Sequence, residues 1–301
     1  MRELIVKKRN NITDLSSAVE YLEKKYLIFN RNYVDLFEYF GLDCFDSIWE
    51  YQGGEVIKRI KTRSVIRIEV QNRDEKRCFY LKRHNLEYVG LRRVLSFFFP
   101  RWIFSQGRRE FENICAFRKN NLATVVPVIA GEKFFRFFWA RSFLITEDFC
   151  PFISLEALLR DYSRFFTGEE GETKKGILMQ EIALFARKMH KKGFNHRDFN
   201  ATHILLHYET GSDIPEIALF DLQRVTRRKF FKFRWPIKNF AELNYSLPDK
   251  LFGTKDIIYL LLCYKGKNKL HFWDRLQLSW INRKTARIKR HTEKMLVNSH
   301  P

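Results

Sequence analysis

Apolar and polar positions divide the chain into a strand-rich part followed by a helix-rich part. Between residues 49 and 84, apolar residues alternate with charged ones, most clearly over residues 65–70, and this period of two predicts an antiparallel meander. Residues 177–191 instead place apolar residues at helical spacing, and Gly193 predicts the end of that helix. Strands followed by helices predict an α+β protein with segregated lobes.

Weaker patterns predict further elements in both parts. Residues 14–29 have near-helical apolar spacing, which predicts a helix packed on the main domain. Another helix is expected over residues 108–119, and strands are expected over residues 125–131 and 143–146. A polar, glycine-containing loop is expected over residues 168–175.

Composition limits the class of protein and of partner. Apolar residues make up 45% of the 301 residues, which allows a sizeable core and argues against global disorder. The formal net charge of +20 favours an anionic partner: nucleic acid, an acidic membrane surface or a phosphorylated substrate. The five cysteines form no C-x-x-C pair, which predicts reduced thiols of the cytoplasm and not a zinc or disulfide framework.

A short polar stretch before an apolar run carries the strongest candidate chemistry. Residues 196–198 read His-Arg-Asp, and the apolar run 204–206 follows them. A carboxylate on such a loop can accept the proton of an acceptor hydroxyl during phosphoryl transfer, so Asp198 is the candidate catalytic residue. For the triplet by itself, an Asp turn or a helix cap is an equally good interpretation.

Other residue types that phosphoryl transfer needs occur elsewhere in the chain. Asp221 ends a β-like run, where a buried carboxylate is costly unless it is paired or binds a cation, so it is a candidate Mg²⁺ ligand. Lys82 lies on a predicted strand, and Glu110 lies near the start of a predicted helix, as in kinases that pair these two types. Gly53 and Gly54 lie between the first predicted strands, but no G-x-G-x-x-G phosphate loop is present.

His203 occupies the position where the kinase catalytic loop has an asparagine that binds magnesium. An imidazole can ligate a metal, but Mg²⁺ prefers oxygen ligands. Metal ligation, contact with phosphate and simple packing therefore all stay open for this residue.

Two basic stretches and one aromatic stretch indicate possible surfaces. Residues 224–238 interleave cations with aromatic residues, which suits single-stranded nucleic acid or an anionic lipid surface. Residues 283–290 form a second basic run with a helical pattern. Residues 97–104 are mostly aromatic, as expected of a core plug or of a wedge at a membrane interface.

Taken together, these residues resemble the lipopolysaccharide kinase family, and most closely its core heptose kinase branch. The resemblance covers residues 45–295 and rests on six short motifs. They are the lysine strand at 79–84, the helix start at 109–111, and the segments 143–148, 195–198, 202–206 and 221–224.

The resemblance implies a protein-kinase-like two-lobed α+β fold. An antiparallel-sheet N-lobe is expected over residues 46–148 and a mainly helical C-lobe over residues 149–301. Residues 1–45 are then expected to form an N-terminal helical extension packed on the kinase domain.

The resemblance also implies the roles of single residues, with ATP and Mg²⁺ as cofactors. Asp198 would be the base. Asp221 would be the magnesium ligand, with His203 as a second candidate. The nucleotide-binding set would be Lys82, Glu110, Gly53, Gly54, Glu147 and Phe149. The acceptor-binding candidates are Arg197, Arg227, Arg228 and Lys232.

The implied activity is ATP-dependent phosphorylation of a heptose in the inner core of lipopolysaccharide, at the cytoplasmic face of the inner membrane. The expected partners are this acceptor and the anionic inner-membrane surface; a small acidic protein could use the same basic surface, and nucleic acid is not expected. The alternatives are another lipopolysaccharide sugar kinase of the 3-deoxy-octulosonate type, a small-molecule kinase on the same fold, and an inactive kinase-like protein that binds membrane or nucleic acid.

Overall fold

Helices and antiparallel strands both build this chain, which is therefore a mixed α+β protein. The computed structural model describes residues 19–22, 26–72, 75–98, 105–135, 138–228 and 233–299. The chain divides into two compact units. The first contains the described residues up to Asn121 together with Val126–Asp148, and the second contains Leu122–Val125 and the described residues from Phe149 onward.

One seven-stranded sheet dominates the first unit, in the order β1-β2-β6-β7-β5-β4-β3. Its strands are β1 (Val19–Leu22), β2 (Leu27–Asn30), β3 (Glu55–Ile60), β4 (Arg63–Asn72), β5 (Glu75–Tyr88), β6 (Val126–Phe135) and β7 (Trp139–Glu147). All neighbouring strands of this sheet pair antiparallel. The meander predicted from the alternating residues is confirmed as β3, β4 and β5.

Among the described residues, four α-helices accompany this sheet: α1 (Val34–Tyr39), α2 (Phe45–Glu50), α3 (Leu91–Phe98) and α4 (Gln106–Lys119). Phe79 and Leu81 of β5 are fully buried in a core that also contains Phe37 of α1 and Phe45 of α2. The rings of Phe37 and Phe79 meet edge to face, with centroids 5.3 Å apart. Because successive strand residues point to opposite faces, Lys82 lies on the other face of the sheet from this core.

The helix predicted over residues 14–29 is wrong where the structure describes these residues. This stretch of the N-terminal extension is therefore not helical. Residues 19–22 and 27–30 are the strands β1 and β2, and β2 pairs with β6. All four residues of β2 are buried. A short apolar run buried on both faces cannot be told from a helix by its spacing alone, and the pairing with β6 decides the outcome.

The second unit contains two small sheets and five α-helices among the described residues. The sheets are β11-β10-β8 and β12-β9, formed by β8 (Ile153–Ser154), β9 (Phe194–His196), β10 (Ile204–Tyr208), β11 (Pro215–Leu219) and β12 (Val225–Arg227). The helices are α5 (Leu155–Asp161), α6 (Gly168–Lys191), α7 (Arg234–Ser246), α8 (Thr254–Lys265) and α9 (Phe272–Ser299). Helix α6 is central, because its residues Leu178, Ile182 and Met189 are fully buried.

The loop predicted over residues 168–175 is also wrong, since these residues form the first turns of α6. Lys175 explains the difference: its ammonium is buried and donates to the carbonyl of Leu251 at 3.0 Å and to Glu172 at 2.7 Å. A tertiary contact of this kind can stabilise a helix in a polar sequence whose composition predicts a loop.

Three other expectations concern the aromatic stretch, the cysteines and membrane-spanning helices. The aromatic stretch 97–104 falls mostly outside the described residues; Phe98, at the end of α3, is 76% exposed. All five cysteines are free thiols. No helix in the described ranges is both long and apolar enough to cross a lipid bilayer.

Candidate active site

Lys82 and Glu110 form a buried ion pair in the first unit. Lys82 Nζ donates to Glu110 Oε2 at 2.6 Å, and the side chains are only 10% and 4% exposed. Helix α4 positions the glutamate, and the helix begins after Ser105, whose Oγ accepts from the amide of Arg108 at 3.2 Å. The pairing implied by the resemblance is thus present, whereas binding of a nucleotide by Lys82 stays a prediction.

Gly53 and Gly54 precede β3 and do not lie between two strands of the meander, which corrects their expected place. The turn between β3 and β4 consists of residues 61–62, which read Lys-Thr. Gly54 has a φ of +109°, and a Cβ there would lie 2.4 Å from the backbone oxygen of Arg67. The glycine therefore allows two backbone segments to approach closely, and contact with phosphate stays an untested prediction for both glycines.

Glu147 lies one residue before the end of the first unit, and Phe149 is the residue at which the second unit resumes. Glu147 closes β7 and accepts hydrogen bonds from the Tyr33 hydroxyl at 2.7 Å and from the guanidinium of Arg77 at 2.7 and 3.0 Å. Burial, and then the Glu147 carboxylate, raises the pKa of Tyr33. In the second unit, the Phe149 ring stacks on Phe152 with centroids 4.5 Å apart. These contacts fix the side chains and leave their backbone as the part predicted to meet adenine.

Asp198 is a half-buried carboxylate on the loop between β9 and β10. Its Oδ1 accepts a hydrogen bond from Arg224 Nη1 at 2.6 Å, and its side chain is 26% exposed. The imidazole Nδ1 of His203 lies 3.0 Å from the Asp198 carbonyl and 2.9 Å from Asn200 Oδ1. Both neighbours are acceptors, so Nδ1 carries the proton and the Nε2 lone pair of a neutral His203 points away from this turn.

Asp221 is held in a backbone conformation that few residues adopt. Its φ of 55° and ψ of 59° lie in the left-handed region, which is uncommon outside glycine and is concentrated at functional sites. The antiparallel pairing of β10 with β11 places Asp221 near His203, whose Nε2 lies 3.9 Å from Asp221 Oδ2. The two residues expected at a metal site are therefore adjacent.

His196 links the loop that carries Asp198 to the backbone of Asp221. Its Nε2 donates to the carbonyls of Phe220 and Asp221 at 3.2 and 3.1 Å. The ring is fully buried, and burial lowers the pKa of His196 to about 4, so the imidazole is neutral near pH 7. These contacts make His196 a structural brace between the loop of Asp198 and the backbone of Asp221.

The donors around Asp221 fit a Mg²⁺ ion that completes its coordination with other ligands. Among the residues that the structure describes, no three His, Cys, Asp or Glu side chains are grouped so as to hold a metal. Mg²⁺ commonly uses one or two protein carboxylates and takes its remaining ligands from phosphate oxygens and water. A carboxylate in a left-handed turn, with an imidazole lone pair beside it, matches this requirement and does not match an all-protein zinc site.

The acceptor candidates occupy different places in the second unit. Arg197 is exposed beside Asp198, and the Arg228 amide donates to the carbonyl of Gly193 at 2.8 Å. The guanidinium of Arg227 lies over the ring of Phe194, 5.7 Å from its centroid. Lys232 falls outside the described residues. Because β12 pairs with β9, Arg227 and Arg228 lie beside the strand that leads into the loop of Asp198. The binding role of the three described arginines stays a prediction.

A model of the lipopolysaccharide kinase (Kdo/WaaP) family matches residues 46–264, more than two thirds of the chain. The chain belongs to this lipopolysaccharide kinase family. The resemblance inferred from the motifs is therefore confirmed, and the chain is a phosphotransferase that acts on a sugar hydroxyl.

Curated relatives of this lipopolysaccharide kinase come from two bacterial species. The chain is 31% identical over 229 residues to the lipopolysaccharide core heptose(I) kinase WaaP of Escherichia coli, which covers 74% of this chain and 82% of the relative. It is 25% identical over 253 residues to the enzyme of the same name from Pseudomonas aeruginosa, covering 82% and 91%. A solved structure of WaaP in complex with acyl carrier protein aligns with a TM-score of 0.63 and 24% identity, covering 87% of this chain and 98% of that one. This likeness shows that the kinase shares the fold of that structure.

Sequence reasoning missed three residues that hold the loop of Asp198 in place in this kinase. Arg224 stood in a basic run, and only the fold shows that it reaches the Asp198 carboxylate. Asn239 and Ser246 lie on α7: Asn239 Nδ2 donates to the His196 carbonyl at 2.8 Å, and Ser246 Oγ accepts from the Ala201 amide at 2.8 Å. These contacts span about 45 residues along the chain and leave no local spacing signal.

Proposed function

We propose that the chain transfers the γ-phosphoryl group of ATP to a heptose hydroxyl in the inner core of lipopolysaccharide. The observation that carries this proposal is the extent of the family match: residues 46–264 include Lys82, Glu110, Asp198 and Asp221. The names of the curated relatives support the heptose acceptor. The fold is then protein-kinase-like, with the first unit as the sheet lobe and the second as the helical lobe.

The side chains of this chain have separate tasks in the reaction. Lys82 binds nucleotide phosphates, and Glu110 holds its ammonium at 2.6 Å in a defined position. Asp198 has one oxygen fixed by Arg224, and the other oxygen, Oδ2, orients the acceptor hydroxyl and receives its proton. Asp221 would hold Mg²⁺, which when bound neutralises charge on the transferred phosphoryl group. His203, whose Nε2 lies 3.9 Å from Asp221 Oδ2, would be a second candidate ligand of that ion.

The positive charge of the protein supports an anionic site of action. A net charge of +20 attracts a chain to the acidic cytoplasmic surface of the inner membrane, where a phosphorylated glycolipid acceptor is presented. The same charge suits a small acidic partner, and the solved structure of the same fold contains acyl carrier protein bound to WaaP. Both partners are therefore part of the proposal, and nucleic acid is not.

Incubation with Mg·ATP and underphosphorylated core lipopolysaccharide tests the function. Mass spectrometry should show one added phosphate, and NMR should locate it on a heptose. Asp198→Asn should lower turnover by about 10²–10⁴-fold while nucleotide binding persists. Phosphate on the 3-deoxy-octulosonate residue would instead select the other lipopolysaccharide sugar kinase class, and turnover of Asp198→Asn within a few-fold of the parent would remove the base from its role.

A further inference from the structure

A groove in the second unit combines strong positive charge with exposed aromatic surface. It lies along α7 and α9 and has a volume of about 550 Å³. Its lining consists of five cations, Arg234, Lys238, Arg283, Lys284 and Arg287, and three apolar residues, Phe233, Ile237 and Trp280. No acidic residue belongs to this described lining. Such a surface concentrates anions and offers an apolar contact beside them.

The groove joins the two basic stretches that the sequence shows separately. Residues 224–238 supply the cations of α7, and residues 283–290 supply those of α9. On α9 the spacing of Trp280, Lys284 and Arg287 places them on one stripe of the helix. Phe233 is 63% exposed and Trp280 is 41% exposed, so both rings are available to a ligand.

The two helices are fixed to each other beneath the groove. Asn244 Nδ2 of α7 donates to Thr285 Oγ1 of α9 at 3.3 Å, and this hydroxyl also lies 3.3 Å from the carbonyl oxygen of Ala241. Ile281 is fully buried one turn earlier on α9. A ligand therefore meets a preformed surface, which lowers the ordering cost of binding.

Helix α7 also connects the groove to the catalytic loop. The hydrogen bonds of Asn239 with His196 and of Ser246 with Ala201 hold the loop on one side of α7, while Lys238 lines the groove on another. Electrostatics shows the same proximity. Burial, and then the surrounding cations Arg234, Arg197, Lys284 and Arg228, lowers the pKa of Lys238. The groove and the acceptor side of the loop thus share one positive field.

We propose that this groove binds the anionic, lipid-linked part of the acceptor glycolipid. The inference rests on the proposed function and adds to it the place where the acceptor is held. Arginine guanidinium groups pair with phosphate and carboxylate in bidentate fashion, and Lys238 and Lys284 add point charges. The exposed rings of Phe233 and Trp280 contact the apolar part, as aromatic residues do at a lipid–water boundary. An anionic amphiphile uses both halves of this lining, whereas a soluble anion uses only one.

Charge-neutralising variants test the groove with a matched control. The groove variant is Arg283→Gln/Lys284→Gln/Arg287→Gln on α9. The control is Lys250→Gln/Lys255→Gln/Lys269→Gln, which removes the same charge from exposed residues of the second unit that do not line the groove. Kinetics are measured with Mg·ATP and micellar underphosphorylated core lipopolysaccharide. The groove variant should raise the KM for glycolipid at least about ten-fold, with kcat and the KM for ATP within about two-fold.

Three results would overturn the groove as the acceptor site. The first is an acceptor KM that is equal in the groove variant and the control. The second is a change confined to kcat. The third is weaker binding of acyl carrier protein by the groove variant with unchanged glycolipid kinetics, which would assign the surface to an acidic protein.

Binding of the same glycolipid micelles, measured without ATP, separates this inference from the proposed function. If the parent chain does not phosphorylate the glycolipid, the function fails. The groove assignment is then tested separately: it is supported if the groove variant binds the micelles at least about ten-fold more weakly than the control, and it is refuted if the two bind equally. The single variant Arg287→Glu, at an exposed position, repeats this comparison with little risk to folding.

Discussion

Replacing Glu110 by glutamine tests the buried ion pair of the first unit. The change keeps the size of the side chain and removes its charge, so the Lys82 ammonium stays buried beside a neutral amide. In the parent chain, Nζ and Oε2 are 2.6 Å apart and the two side chains are 10% and 4% exposed. Water therefore contributes little to the solvation of either group.

The size of the effect follows from this geometry. At 2.6 Å and an effective dielectric constant of about 20, two unit charges attract each other by about 6 kcal/mol. Burial of each charge offsets much of this gain, but a single substitution removes the attraction and leaves the cost of burying the lysine. We expect Glu110→Gln to lower the free energy of unfolding by about 3–5 kcal/mol.

Urea denaturation of Glu110→Gln, Lys82→Met and the double variant Lys82→Met/Glu110→Gln measures the coupling of the pair. Because the double variant leaves no buried charge at this place, it should be more stable than either single variant. Glu110→Gln should also raise the KM for ATP, since the lysine loses its fixed position. Additive losses of stability, or a loss below about 1 kcal/mol for Glu110→Gln, would refute the buried-pair reasoning.

Three further predictions concern stability. His196 has a pKa of about 4 in the folded chain and about 6.5 in the unfolded chain, so its contribution to stability is complete above pH 6.5 and falls by about 3 kcal/mol as the pH falls to 4. The free energies of unfolding of the parent and of His196→Gln, measured in urea, should therefore depend differently on pH. Parallel pH curves for the two proteins would contradict this prediction. Gly107→Ala places a Cβ 2.4 Å from a backbone oxygen of β7 and should lower the free energy of unfolding by about 1–3 kcal/mol. The control Gly176→Ala, in open space on α6, should raise it by about 0.5–1 kcal/mol. Equal urea midpoints for the two variants would contradict the predicted clash. Tyr33→Phe removes the 2.7 Å hydrogen bond to the Glu147 carboxylate and should cost about 1.5–3 kcal/mol in the same assay, and an unchanged midpoint would show that this contact adds nothing.

The parts of the site that could be predicted are those that local spacing records. The His-Arg-Asp triplet, the strand of Lys82 and the helix start near Glu110 each combine a chemical group with the element that carries it. Pairing of Lys82 with Glu110 followed from the resemblance, and the 2.6 Å contact agrees with it. Asp221 was singled out because a carboxylate at the end of an apolar run needs a partner, and its role as a magnesium ligand stays a prediction.

The parts that could not be predicted depend on contacts distant in sequence. Strand β2 has an apolar run that fits a helix equally well, and only its pairing with β6 makes it a strand. Gly54 resembles a phosphate-loop glycine until its close approach to Arg67 is seen. The groove of α7 and α9 requires two basic runs about 45 residues apart to meet, and neither run alone says which anion it binds.

The ring of His196 has a consequence for how this enzyme can diversify. One imidazole sets the spacing between the loop of Asp198 and the backbone of Asp221, so neither carboxylate can be repositioned without disturbing the other. The surface of α9 carries no such constraint, because its cations project from a helix whose own anchor, Thr285, lies beneath them. Substitutions of the α9 cations can therefore change the charge of the groove without moving Asp198 or Asp221.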